Sequence, residues 1–296
     1  MNQSSNKTAV RKQFEQELAQ SERFGFGENW RAFLSTLDDE RIAEAERSLR
    51  DSLGRASLEG LRFLDIGSGS GLLSLAARRL GATVHSFDFD TNSVGCTQEL
   101  RSRCFPDDAQ WVVEQGSVLD QDYLATLGRF DVVYSWGVLH HTGSMWEALA
   151  NVPPLVAPGG LLFISIYNDQ GGVSRVWRRL KKAYNWLPRY LRPIYTLAVM
   201  GPREALNFLV CVVRGDPGRY VDGWRNYKRA RGMSRWHDIV DWIGGYPFEV
   251  AKPEEVFAFY RARGFNLVRL STAGGGLGCN EYVLRLEDSQ TMELPN

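Results

Sequence analysis

Residues 62–90 read RFLDIGSGSGLLSLAARRLGATVHSFDFD. A short apolar run leads into a glycine-rich turn. An apolar helical pattern then ends at Gly81, and a second apolar run closes on Asp88. This is a strand, a turn, a helix and a second strand. Such a unit crosses over right-handed in a parallel sheet, and ligands of such sheets sit at the carboxyl ends of the strands. Gly67, Gly69 and Gly71 lie at that end, so the turn borders a nucleotide-sized pocket. Asp88, at the tip of the second strand, is placed to accept hydrogen bonds from two ribose hydroxyls. The spacing differs from a dinucleotide fingerprint, because Gly71 comes one residue early and Leu72 stands where a pyrophosphate requires glycine. An acid, Asp65, precedes the first glycine by two residues.

The chain has 296 residues with 44% hydrophobic content, enough for one large α/β domain with an insertion or for two small domains. Its polar N-terminus has no apolar run of the signal-peptide kind, so a cytoplasmic protein is expected. Cys96, Cys104, Cys211 and Cys279 are too widely spaced for a redox pair or a zinc pattern and read as packing residues, and no metal site is expected. Net charge is zero, which argues against a general nucleic-acid binder.

The D-x-G-x-G-x-G pattern from Asp65 to Gly71 resembles the first motif of class I S-adenosylmethionine-dependent methyltransferases. The resemblance runs through about the first half of the chain and returns at the C-terminus. It implies a doubly wound, mostly parallel seven-stranded sheet with helices on both faces, and S-adenosylmethionine as cofactor. It further implies that Asp65 orders the loop beside the methionine moiety and that Gly67, Ser68, Gly69 and Gly71 pass under the ligand. Asp88 would hold the ribose, and Phe89 would cover the adenine. A third strand should end near Gly116. There Ser117 replaces the acid common in the family, which leaves the adenine contact around Ser117 and Val118 to the backbone.

The segment RFDVVYSWGVLHHTGSMWEALANV, residues 129–152, gives a fourth strand over 131–135, a loop over 136–143 and a helix from about Met145. It resembles the fourth motif of the small-molecule branch, which includes the quinone-biosynthesis methyltransferases. By that resemblance Trp136 and Gly137 back the cofactor and the two histidines face the acceptor side. On an extended segment the pair alternates in direction, so at most one faces the acceptor, with His141 favoured; the alternative is one packed inward and one solvated. The fifth strand is read as LLFISIY after Pro158-Gly159-Gly160 and delivers Tyr167 as a candidate substrate ligand.

Between Gly171 and Trp236 the chain holds fifteen Lys or Arg and three acids, so this block is near +12 and the remainder near −12. Its first part, SRVWRRLKKAYNWL, reads as a basic helix with Val176, Leu180, Tyr184 and Leu187 on one face. The apolar stretch that follows is expected to break at Pro193 and Pro202 before reaching the ~20 residues of a membrane span. A helical insertion after the fifth strand is therefore expected. It could act as a cap, a homodimer contact, a peripheral membrane surface or a site for an anionic acceptor, with RNA the weakest partner. The boundaries follow: a helical segment over 1–55, the cofactor-binding core over 56–170, the basic insertion or lid over 171–245, and a closing helix and hairpin over 246–296.

The stretch MSRWHDIVDWIGGYPFEV, residues 233–250, reads as a helix over 234–243 that Gly244-Gly245 ends. Arg235, Asp238, Asp241 and Trp242 share one broad face, and His237 sits four residues before Asp241. It is either a packed junction or a lid over the pocket. For a hydroxyl acceptor, a histidine with its ordinary pKa near ~6.5 could take the proton, which makes His141 and His237 candidates beside Tyr167. The expected activity is methyl transfer to a hydroxyl of a small, sugar or lipid-linked acceptor. N-methylation, RNA methylation and a non-catalytic cofactor-binding subunit are the alternatives, and an NAD oxidoreductase is disfavoured by the glycine spacing.

Overall fold

The computed structural model describes residues 3–20, 22–35, 37–225 and 235–288. Seven strands form one sheet in the order β3-β2-β1-β4-β5-β7-β6. They are β1 (Arg62–Ile66), β2 (Thr83–Asp88), β3 (Trp111–Gln115), β4 (Phe130–Trp136), β5 (Val156–Tyr167), β6 (Phe265–Ser271) and β7 (Cys279–Leu286). β1 to β5 pair in parallel, and β7 inserts antiparallel between β5 and β6. The order reverses between β1 and β4, so the carboxyl ends of these two strands open the crevice where ligands of such sheets bind.

Alternation along each central strand sends neighbouring side chains to opposite faces. Phe63, Val132 and Phe163 enter one core, which α3 (Asp39–Leu53), α4 (Leu72–Arg79) and α5 (Thr91–Cys104) cover. Leu64, Val133 and Ile164 enter the other, which α6 (Gln121–Ala125), α7 (Met145–Asn151) and α12 (Pro253–Arg261) cover. Both faces of the strands are apolar, as a sheet covered on both sides requires. The closing helix begins at Pro253, and the Glu255 carboxylate caps it by accepting from the Lys252 amide at 2.8 Å.

A third cluster joins parts distant in sequence. Phe24, from the link between α1 (Gln3–Ala19) and α2 (Gly27–Leu34), packs with Tyr184, Met200, Ile239 and Ile243. These come from α8 (Gly172–Trp186), α9 (Arg192–Val213) and α11 (Arg235–Gly244), with α10 (Gly218–Arg225) beside α9. The N-terminal segment and the insertion thus meet over the carboxyl edge of the sheet.

Four expectations need correction. The fifth strand starts at Val156, ahead of Pro158, because β4 and β5 already pair from Phe130 and Val156 before a bulge shifts their register. The apolar stretch does not break at Pro202: α9 runs unbroken for 22 residues and is long and apolar enough to cross a membrane by length and composition. The buried face of α8 is Ser174, Lys181, Tyr184 and Asn185, while Val176 is exposed. Finally, Cys104 is exposed and fills no core.

Candidate active site

One cavity of about 1990 Å³ runs along the carboxyl edge of the sheet, from the glycine loop to α11. Its floor is the turn after β1. Gly67, Gly69 and Gly71 have φ of 79°, 55° and 81°, the left-handed region open to glycine. A Cβ on Gly67 would also lie 2.4 Å from the Val138 side chain, so the turn can sit only this close to the loop after β4 if that residue is glycine.

Asp65 is buried, and its hydrogen bond goes away from the glycine turn. A one-way chain of donors ends on it instead: Trp111 Nε1–H to Ser86 Oγ at 2.9 Å, Ser86 to Ser74 at 2.7 Å, and Ser74 to the Asp65 carboxylate. Burial lifts Asp65 to about 6, against the Ser74 hydrogen bond. Ser68 Oγ bonds Thr97 Oγ1 at 2.9 Å and ties the turn to α5.

Asp88 accepts the Gly69 amide through one oxygen and the Asp90 amide through the other, both at 2.9 Å. Burial, helped by the neighbouring Asp90 charge, pushes Asp88 up to about 7. A carboxylate offers about four lone-pair positions. Two are taken, which leaves room for the two hydroxyls of a ribose. This pairing fits an adenosyl cofactor, and so does the charge: the glycine end carries Asp65, Asp88 and Asp90, which complement a sulfonium with its ammonium and would repel a pyrophosphate.

Phe89 lines the same end and is met edge-on by Phe14 at 5.5 Å, with the Arg23 guanidinium 4.8 Å from its centroid. Gly116, Ser117 and Val118 line the wall beside it. Ser117 Oγ accepts the Leu119 amide at 3.2 Å and keeps its own O–H to donate, so this wall offers that hydroxyl beside its backbone groups. A Cβ on Gly116 would strike the Tyr123 ring at 2.3 Å.

At the opposite wall Trp136 is half-exposed and donates its indole N–H to Glu281 on β7 at 2.8 Å. Gly137, at φ 75°, donates its amide to Ser165 Oγ at 2.8 Å. The two histidines follow in a 3-10 turn, not an extended segment, so both are buried. His141 lines the cavity and His140 does not. The Nδ1 of His141 lies 2.6 Å from the Pro247 carbonyl. A carbonyl only accepts, so Nδ1 carries the proton and Nε2 keeps the lone pair. Burial drives His141 down to about 3 and also lowers His140 well below the ordinary imidazole range, which keeps both neutral. A base at its ordinary pKa was the sequence-based expectation for His141; its surroundings make it a neutral hydrogen-bond acceptor instead.

Tyr167 also lines the cavity, packed against the His140 ring at 4.0 Å and the Phe248 ring at 5.1 Å, and burial raises its pKa. Arg235, Asp238, Asp241 and Trp242, expected on one face of α11, all line the cavity. The stretch is packed as well, since a Cβ on Gly244 would meet the Phe24 ring at 2.3 Å. His237 lies on α11, but its side chain falls outside the described residues. Gly276, Leu277 and Gly278, from the loop between β6 and β7, close the near side.

Three contributors escaped the sequence reading. Arg23 donates to the His141 and Thr142 carbonyls at 2.8 and 3.2 Å and pairs with Glu17 at 2.6 Å, holding the N-terminal segment on the loop after β4. Asp90 caps α5 through the Asn92 amide and also accepts the Gly27 amide, both at 2.8 Å. Lys181 is wholly buried, donates to the Trp242 carbonyl, and sits 4.3 Å from the Trp242 ring centroid and 4.8 Å from that of Phe248. Burial draws it down to about 7. The aromatic, glycine-broken run FGFGENW was a readable sign of a packed loop. A buried lysine in a helix with this many arginines carries no sequence sign.

A family model described as a methyltransferase domain matches residues 39–207, more than half the chain. The chain belongs to the methyltransferase-domain family. The match spans the glycine turn, Asp88, the histidine loop and most of α9. This methyltransferase domain is 34% identical over 141 residues to a ubiquinone biosynthesis O-methyltransferase of Caulobacter sp. (strain K31), covering 46% of this chain and 51% of that one. It is 32% identical over 159 residues to the same-named enzyme of Brucella ovis, covering 47% and 55%. The chain thus spans about half the length of these relatives. Among solved structures, it superposes on magnesium protoporphyrin IX methyltransferase of Synechocystis PCC 6803 with a TM-score of 0.50 at 15% identity, covering 88% and 94%. That likeness concerns the fold.

Proposed function

We propose that this protein is an S-adenosylmethionine-dependent O-methyltransferase, cytoplasmic in location, acting on a small, largely apolar acceptor that carries a hydroxyl. The observation that carries the reading is the single cavity joining the glycine turn and Asp88 to a wall of Phe26, His141, Tyr167 and Trp242. Relatives named O-methyltransferases favour oxygen over nitrogen.

The cofactor supplies an electrophilic methyl on a sulfonium. The protein's share is alignment and dryness, since in-line displacement gains most from a held geometry and from excluded water. Asp88 and the turn from Gly67 to Gly71 hold the ribose and the backbone side of the ligand, and Phe89 covers the adenine with Ser117 and Val118 beside it. Trp136 and Gly137 set the wall near the reacting carbon. His141 accepts a hydrogen bond from the acceptor hydroxyl at Nε2 and orients its oxygen. With its pKa drawn so low, it cannot store the proton at neutral pH, so the hydroxyl must be acidic enough to release its proton to solvent. This favours a phenol-like group over an alkyl alcohol. Tyr167 shapes the acceptor wall. His237 is proposed as a further acceptor contact on the strength of its place on α11.

The test is incubation with S-adenosylmethionine and a catechol acceptor, reading S-adenosylhomocysteine and the methyl ether by mass spectrometry. His141→Ala should lower turnover by about a hundredfold, as misplacement of a reacting group does, with cofactor affinity intact. Unchanged turnover in this variant would remove His141 from the reaction.

A further inference from the structure

Helix α9 is amphipathic the wrong way round. At 100° per residue, Thr196, Met200, Arg203, Glu204 and Asn207 fall on one side. Thr196 and Met200 are buried, and Met200, Arg203, Glu204 and Asn207 line the cavity. Glu204 also pairs with Arg235 on α11 at 2.7 Å and accepts from Tyr220 at 3.0 Å. The opposite side presents Ile194, Leu197, Leu206, Leu209, Val212 and Val213, all well exposed, with Val213 at 82%. Trp186 and Tyr190, in the approach to this helix, are 80% and 76% exposed. An apolar face of six turns facing water is far outside the pattern of a soluble surface.

Charge argues for what covers this face. Arg175, Arg179, Lys182, Arg189, Arg214 and Arg219 are exposed on α8 and around the two ends of α9. A second copy docked through a twofold axis would set this basic block against itself. An anionic bilayer surface complements it, and it accepts apolar side chains below its headgroups with Trp and Tyr at the interface. The helix has the length of a span, but crossing would carry Arg203, Glu204 and Asn207 into hydrocarbon and break the Glu204–Arg235 pair. A place in the interface avoids both.

We propose that the outward face of α9 docks the protein on an anionic lipid surface, so that the cavity behind that helix takes a lipid-embedded acceptor. The acceptor half of this statement rests on the methyltransferase reading; the docking half does not.

The test is sedimentation of the full chain with vesicles of phosphatidylcholine alone or mixed with phosphatidylglycerol, with cofactor binding measured in parallel by calorimetry. The chain should sediment with the mixed vesicles and not with phosphatidylcholine, and high salt should release it in part. The triple variant Leu206→Gln, Leu209→Gln, Val213→Gln changes only exposed side chains. It should lose about tenfold or more of the vesicle affinity, since each removes buried apolar area, and keep its cofactor affinity. Docking is overturned if the wild type stays in solution with anionic vesicles, or if the triple variant sediments like the wild type. It is also overturned if the wild type forms a dimer without lipid that the triple variant dissolves. Vesicle binding without cofactor binding would instead sink the methyltransferase reading and leave docking intact.

Discussion

On the proposed function, cofactor recognition turns on Asp88. Its two oxygens already hold the glycine turn and the following loop, and burial beside Asp90 brings its pKa to about 7. Ribose hydroxyls donate to the ionised form, so binding releases a proton. Affinity should be full above pH 7 and fall by about tenfold per pH unit below it, as one titrating group requires. Asp90→Asn keeps a capping side chain but removes the neighbouring charge, and should move this midpoint to lower pH. Calorimetry between pH 5.5 and 8.5 reads both; a flat profile in the wild type would show that Asp88 does not titrate in this range. The same carboxylate shows how legible a residue's place can be. Asp88 was readable because a strand tip after a glycine turn has one geometry. The state of His141 was not readable, because its proton is placed by the Pro247 carbonyl, more than a hundred positions away in the chain.

Among the elements, the N-terminal segment closes the cofactor end. Asp90 joins α2 to α5 by accepting the Gly27 amide, and Gly27 has no room for a side chain, since a Cβ would lie 2.5 Å from Asn92 and 2.8 Å from Asp90. Asp90→Ala removes both the cap and this link. It should cost about 2 kcal/mol in denaturant unfolding, the upper end for a capping side chain, and weaken cofactor binding with it. A midpoint equal to the wild type's would mean the link contributes nothing. Helices showed where periodic reading succeeds and where it fails. Pro253 and Glu255 mark the start of α12 by local chemistry alone. In α8 Tyr184 of the expected stripe is buried but Val176 faces water and Lys181 goes inside, because the partner surface of Trp242 and Phe248 chooses the face. Pro202 looked like a break, yet α9 continues through it, held along its inner side by α8, α10 and α11.

For the molecule as a whole, the sheet was legible from its glycine turn, its alternating strands and the closing hairpin, and the observed order with β7 antiparallel follows that reading. The cofactor half of the cavity was legible for the same reason. The acceptor half was legible only in pieces: His141, Tyr167 and the face of α11 were named, but it is assembled with Phe24, Phe26 and α9, whose meeting no local pattern encodes. The third apolar cluster, which joins Phe24 to the insertion, is the physical cause of that meeting. The central claim is that this cavity binds S-adenosylmethionine through Asp88. Calorimetric titration of the wild type and of Asp88→Ala at pH 8 tests it most directly. The account predicts saturable binding by the wild type and a loss of about tenfold or more in the variant, the scale of hydrogen bonds to a charged group. Absence of binding by the wild type, or equal binding by both, would contradict it.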